Sequence, residues 1–133
     1  MSSDAPPDDD GGLTVMVVED DGFVAEELVL DLRDNGHRVV GSAATTHDAI
    51  ELAERHEIDV ALVDVNLDRN GFGGDVAEML LRRHGVRSIF ISGHLGEPNR
   101  DALLSLEPYA MLTQPSSYAE LAAVLRIVPR GSS

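Results

Sequence analysis

Five short apolar runs, each followed by a stretch with helical spacing, leave this 133-residue chain few folds to choose from. The runs are Thr14–Val18, His37–Gly41, Val60–Val63, Arg87–Ile91 and Tyr109–Leu112. All are too short for helices, and most are rich in Val or Ile, as strands are. Val60–Val63 is apolar without a break, which predicts a strand buried on both faces of a parallel sheet. Between the runs, Val24, Leu28 and Leu32 recur at four-residue spacing, and Ala49, Ile50 and Ala53 share one helical face. Val76, Met79 and Leu80 mark a third helix and Asp101 to Leu106 a short fourth. Leu121, Val124, Leu125 and Val128 mark a fifth. Strict alternation with short connections requires right-handed crossovers, hence parallel strands with helices on both faces.

Local signals place the boundaries. Asp21 is expected to cap the first helix, and Asn35-Gly36 to end it with residues that tolerate φ > 0. Thr45 or Thr46 caps the second helix, and Ser117 with Glu120 forms a capping box before the last. Asp68 to Gly74 (DRNGFGG) is read as a glycine-rich loop. Residues 1–12, full of Pro, Gly and Asp, read as a disordered segment, and 13–128 as the folded domain. The terminal VPRGSS resembles a cleaved-tag remnant, so 129–133 are set aside. The expected fold is α/β: a five-stranded parallel sheet of flavodoxin-like (βα)5 type, order 2-1-3-4-5, with its ligand site beside the first and third strands.

Those two strands end in acids. Val15-Met16-Val17-Val18 runs into Glu19-Asp20-Asp21, and Val60-Ala61-Leu62-Val63 into Asp64. Parallel neighbours would bring these carboxylates together, either as Glu19-Asp20 with Asp64 or, shifted by one, as Asp20-Asp21. Clustered carboxylates repel, and a hard divalent cation such as Mg²⁺ relieves that while leaving room for a phosphate oxygen. A carboxylate can itself attack phosphorus, and Asp64, at the end of the most buried strand, is the best nucleophile. Ser92 ends the fourth strand, where its hydroxyl could donate to a phosphoryl oxygen, and Gly93 leaves the donor room. His94 reads as a solvated loop residue, and His37, His47, His56 and His84 show no ligand spacing. The GFGG stretch matches neither phosphate-loop nor dinucleotide patterns.

Composition removes other classes. A formal net charge of −14 argues against a nucleic-acid surface. There is no Cys, hence no thiol chemistry, and all ten basic residues are Arg. No apolar stretch approaches a membrane span and no signal pattern opens the chain, so a cytoplasmic location with no membrane partner is expected.

The acids in VVED, Asp64 in LVDVNL, Ser92-Gly93 in FISG and Pro115 in LTQPSS resemble the receiver domains of two-component response regulators. IFISGH is similar to the fourth-strand motif of the FAT-GUY subgroup, whose Phe-Ala-Thr-Gly maps to Phe90-Ile91-Ser92-Gly93. The resemblance spans Leu13 to about Val128. It implies that Asp64 is the phosphoacceptor and that Asp20 and Asp64 bind Mg²⁺ through side chains. Asn66 would bind through its carbonyl and Glu19 through water, with Ser92 the switch hydroxyl. Two positions depart from the pattern. Gln114 stands where the family has Lys, and Met111 where it has a switch aromatic, with Tyr109 two residues earlier on the same face. An amide donates a hydrogen bond but brings no charge, so Gln114 weakens the coupling of phosphorylation to conformational change.

The expected function is a stand-alone receiver. It takes a phosphoryl group from a histidine kinase or phosphotransfer protein and signals by contact with a downstream protein. It is not an enzyme beyond self-catalysed phosphorylation and dephosphorylation. Two rivals are a pseudo-receiver that signals without phosphorylation and, last, an aspartyl-phosphate phosphatase. Such phosphatases place an acid two residues after the nucleophile, where this chain has Asn66.

Overall fold

A computed structural model describes residues 12–65, 72–92, 100–113 and 117–130, with the backbone alone described at Phe72 and Ser92. The strands are β1 (Thr14–Val18), β2 (Arg38–Ala43), β3 (Val60–Val65), β4 (Ser88–Ser92) and β5 (Ala110–Thr113). They alternate with α1 (Gly22–Asp34), α2 (Thr46–Arg55), α3 (Phe72–His84), α4 (Arg100–Leu104) and α5 (Tyr118–Leu125). All pairings are parallel, in the order β2-β1-β3-β4-β5. The expected architecture is the observed one.

Side-chain alternation splits the core into two layers. Met16, Val18, Ala61, Val63 and Phe90 face Ala49 and Ala53 of α2, Val76 and Leu80 of α3, and Leu103 of α4. Val15, Val17, Leu62, Ile89 and Ile91 face Ala25 and Leu32 of α1 and Leu121 and Leu125 of α5. Val15, Val17, Val60, Val63 and Phe90 have no exposed surface, as their unbroken apolar runs require. Asp59 joins the opposite end of β3 to β1: its Oδ2 accepts from the Thr14 N–H at 2.8 Å, and its own N–H donates to the Thr14 carbonyl.

Most boundaries differ from expectation by one to three residues, β3 for example running on to Val65, and three differences matter for packing. β2 runs on to Ala43, because a bulge between Val15 and Met16 re-registers it and pairs Val18 with Ala43. α3 begins at Phe72, so Gly73 and Gly74 are helical and do not belong to a loop. Tyr109 precedes β5 and packs in the α1/α5 layer, whereas Met111 packs in the other layer. The two do not share a face, because alternation holds only within the strand, and Tyr109 is instead drawn to Arg87, whose guanidinium lies 4.1 Å from its ring centre.

Candidate functional site

The register decides which acids meet. Val18 pairs with Val63, so the residues that follow β1 lie beside Asp64 at the carboxyl edge of the sheet. The Glu19 N–H donates to the Ala43 carbonyl at 3.0 Å, which carries the β1–β2 ladder one residue past the strand. Glu19 is thereby held against the sheet and is only 5% exposed. Carboxylate oxygens of Glu19, Asp20 and Asp64 all come within 4.8 Å of one another, with Asp20 and Asp64 half-buried. The pair contributed by β1 is therefore Glu19-Asp20. Asp21 is exposed and caps α1: its Oδ1 accepts from the N–H groups of Phe23 (2.9 Å) and Val24 (3.3 Å).

Electrostatics follow from that packing. Burial pushes the Glu19 carboxyl up from 4.5 to about 7. The Asp21 N–H, donating to Glu19 Oε2 at 3.0 Å, opposes the rise. The Asp64 charge, a hydrogen bond with Asp64 and the Asp20 charge add to it. A carboxyl left protonated near neutral pH marks a cluster short of positive charge. Three converging carboxylates, one of them pushed up by burial and then by its acidic neighbours, suit a hard divalent ion such as Mg²⁺.

The remaining expected site residues are placed in part. Ser92 is the last residue of β4, paired with Val65 and with Thr113, so its backbone lies at the same edge of the sheet. Its hydroxyl, together with Asn66, Gly93, His94, Gln114 and Pro115, lies outside the described residues. Elsewhere, His47, Asp48 and Glu51 bring ligand atoms within 4.8 Å of one another at the start of α2. The His47–Glu51 pair is an i,i+4 spacing that comparing histidines only with one another passes over, and all three residues are exposed.

Sequence reasoning missed Gly73. A Cβ built there would lie 2.5 Å from the Asp64 carbonyl oxygen and 3.1 Å from Val63 Cγ1. The available signal was a pair of glycines in what proves to be a helix, where glycine is disfavoured unless another backbone comes close.

An α/β domain with a parallel sheet and a cluster of carboxylates at its switch point belongs to a narrow class, the doubly wound domains whose ligand sites lie beside β1 and β3. Residues 15–126 match the response regulator receiver domain, and the chain belongs to that family. It is 29% identical over 116 residues to the transcriptional regulatory protein PdtaR of Mycobacterium tuberculosis (strain CDC 1551 / Oshkosh), covering 85% of this chain and 55% of that protein. The chain thus spans about half the length of the curated relatives it matches. Its fold is similar to that of the signal receiver domain of a modulated diguanylate cyclase from Desulfovibrio desulfuricans G20. The TM-score there is 0.79 at 24% identity, over 88% of this chain and 93% of the other. The receiver domain of the sensor histidine kinase PA1611 from Pseudomonas aeruginosa PAO1 gives a TM-score of 0.71 at 24% identity, over 86% of this chain and 95% of the other. That structure has a magnesium ion coordinated in its active site cleft.

Proposed function

We propose that this receiver accepts a phosphoryl group on Asp64 from a histidine kinase or phosphotransfer protein and passes the signal on by protein contact. The observation that carries the reading is the convergence of Glu19, Asp20 and Asp64 at the ends of neighbouring strands. An Asp64 carboxylate oxygen forms a bond to phosphorus as the bond from phosphorus to the donor's imidazole nitrogen breaks. The electron pair leaves with the imidazole, and the product is an aspartyl phosphate. Glu19, Asp20, Asp64 and the Asn66 carbonyl would hold Mg²⁺, as the magnesium in the PA1611 receiver supports. When bound, the ion neutralises charge that builds on the phosphoryl oxygens. The Ser92 hydroxyl and the Gln114 amide are the proposed hydrogen-bond donors to those oxygens. The product is a signalling state, not a released metabolite, and the domain limits proposed are 13–128.

Incubation with acetyl phosphate and Mg²⁺ should add one phosphoryl group to the intact mass. The gain should vanish in Asp64→Asn and on chelation. Labelling that survives in Asp64→Asn would overturn the assignment, and no gain in wild type would leave a binding module that signals without phosphate.

A further inference from the structure

We propose that Gly73 is a positioning residue for Asp64: the missing side chain lets the first turn of α3 rest on the Asp64 peptide and hold the carboxylate where the reaction needs it. The inference rests on the reading of Asp64 as phosphoacceptor. Gly73 is the second residue of α3, and the Cβ it lacks would lie 2.5 Å from the Asp64 carbonyl oxygen and 3.3 Å from its carbonyl carbon. The positive-φ glycines among the described residues are Gly36, Gly41 and Gly85, so the backbone at Gly73 does not itself demand glycine. The close approach does.

Neither side of this contact can yield freely. On the strand side, Asp64 is paired with Ile91 and sits between Val63 and Val65, both buried in the α2/α3 layer. On the helix side, Val76, Ala77 and Leu80 fix α3 in the same layer. A methyl group at position 73 must therefore move the Asp64 peptide, the helix, or both. Gly74 supplies the control. Its added Cβ would meet only Leu103 Cδ2, at 3.5 Å, an ordinary contact. Helix propensity favours Ala over Gly at both positions, so the two variants differ chiefly in what the methyl strikes.

The test compares Gly73→Ala with Gly74→Ala in the full chain. With saturating acetyl phosphate and Mg²⁺, the rate constant for phosphoryl uptake should fall about tenfold in Gly73→Ala, since displacing a reacting group by 1 Å can cost roughly 10²-fold. The half-saturating donor concentration should stay unchanged, because donor binding does not involve α3's packing. Without donor or metal, the amide signals of Val63 to Val65 should shift in Gly73→Ala only. Gly74→Ala should match wild type in both measurements. Equal rates and superimposable amide signals for the two variants would overturn the proposal. If wild type takes up no phosphate but the amide shifts still separate the variants, the positioning stands and the phosphoacceptor reading fails. Should Gly73→Ala not fold, it is repeated with Ser88→Ala, at the far end of β4. Failure to fold there also overturns the proposal, since the glycine would then serve folding rather than placement.

Discussion

At the scale of single residues, burial and pairing decide which polar groups help the fold and which oppose it. Ser88 is only 3% exposed at the start of β4, and its hydroxyl finds no partner among the described residues. An unpaired buried hydroxyl costs about 1–3 kcal/mol, so Ser88→Ala should raise stability by about 1 kcal/mol in urea unfolding. A loss would show that the hydroxyl has a partner. Glu19 is the opposite case, a buried acid whose carboxyl lies among other acids. Its folded pKa of about 7 lies above the usual 4.5, so between those values the folded state binds more protons than the unfolded chain. Stability of the metal-free protein should therefore fall as pH rises from 4.5 to 7, with the whole penalty present above 7. Glu19→Gln should remove that slope. His37 works the other way. Burial lowers its pKa below 6.5 while its Nδ1 accepts from the Leu13 N–H at 3.1 Å, so its share of stability is lost as pH falls below 6.5. The Glu19→Gln protein should keep this acid-side loss. A fall in stability with rising pH between 4.5 and 7 that survives Glu19→Gln, opposite in sign to the His37 effect, would mean that another group titrates there.

At the scale of elements, caps and register set where each side chain points. Asp21 stands next to two site acids yet acts on α1, accepting from two N–H groups of the first turn. Asp21→Ala should cost about 1 kcal/mol, the usual loss for a removed N-cap, while Asp21→Ser should keep most of it. Neither should change Mg²⁺ affinity by more than about fivefold, since helix-end charge effects stay below about 1 kcal/mol on an exposed surface. A large loss of metal affinity in Asp21→Ser would place Asp21 among the ligands. The cap was legible in the chain because the apolar run of β1 stops just before Glu19, and similar local signals marked Ser117 and left a choice of Thr45 or Thr46, of which the structure uses Thr45. The extension of β2 to Ala43 was not, because it depends on a bulge against β1 whose one local mark, Gly41 within the strand, does not give the new register.

For the whole molecule, the site and the fold are coupled through the charge they share. On the proposed reading, divalent metal binds the folded cluster of Glu19, Asp20 and Asp64, and the unfolded chain has no such cluster. At a concentration of about 100 Kd, Mg²⁺ should add about 2.7 kcal/mol to stability. Asp64→Asn and Asp20→Asn should each stabilise the metal-free protein, by roughly 1 kcal/mol, by relieving repulsion. Both should forfeit most of the gain from Mg²⁺. Thermal scans showing both variants less stable than wild type without metal would mean that the acids do not repel. Among the described residues no helix is long and apolar enough to cross a membrane.

The chain by itself determined the five strands, the helices between them, the parallel order and the three strand-end acids. These follow from apolar periodicity and from the rule that short crossovers are right-handed, and both can be read from neighbouring residues. Tertiary structure alone decided three things. The pairing of Val18 with Val63 and the bond from Glu19 to Ala43 selected Glu19-Asp20 over Asp20-Asp21. Packing set Tyr109 and Met111 in opposite layers. The approach of α3 to β3 turned Gly73 from a loop residue into a contact on the Asp64 peptide. Each depends on a distance between different elements, which local pattern does not encode because many sequences of the same periodicity could satisfy it.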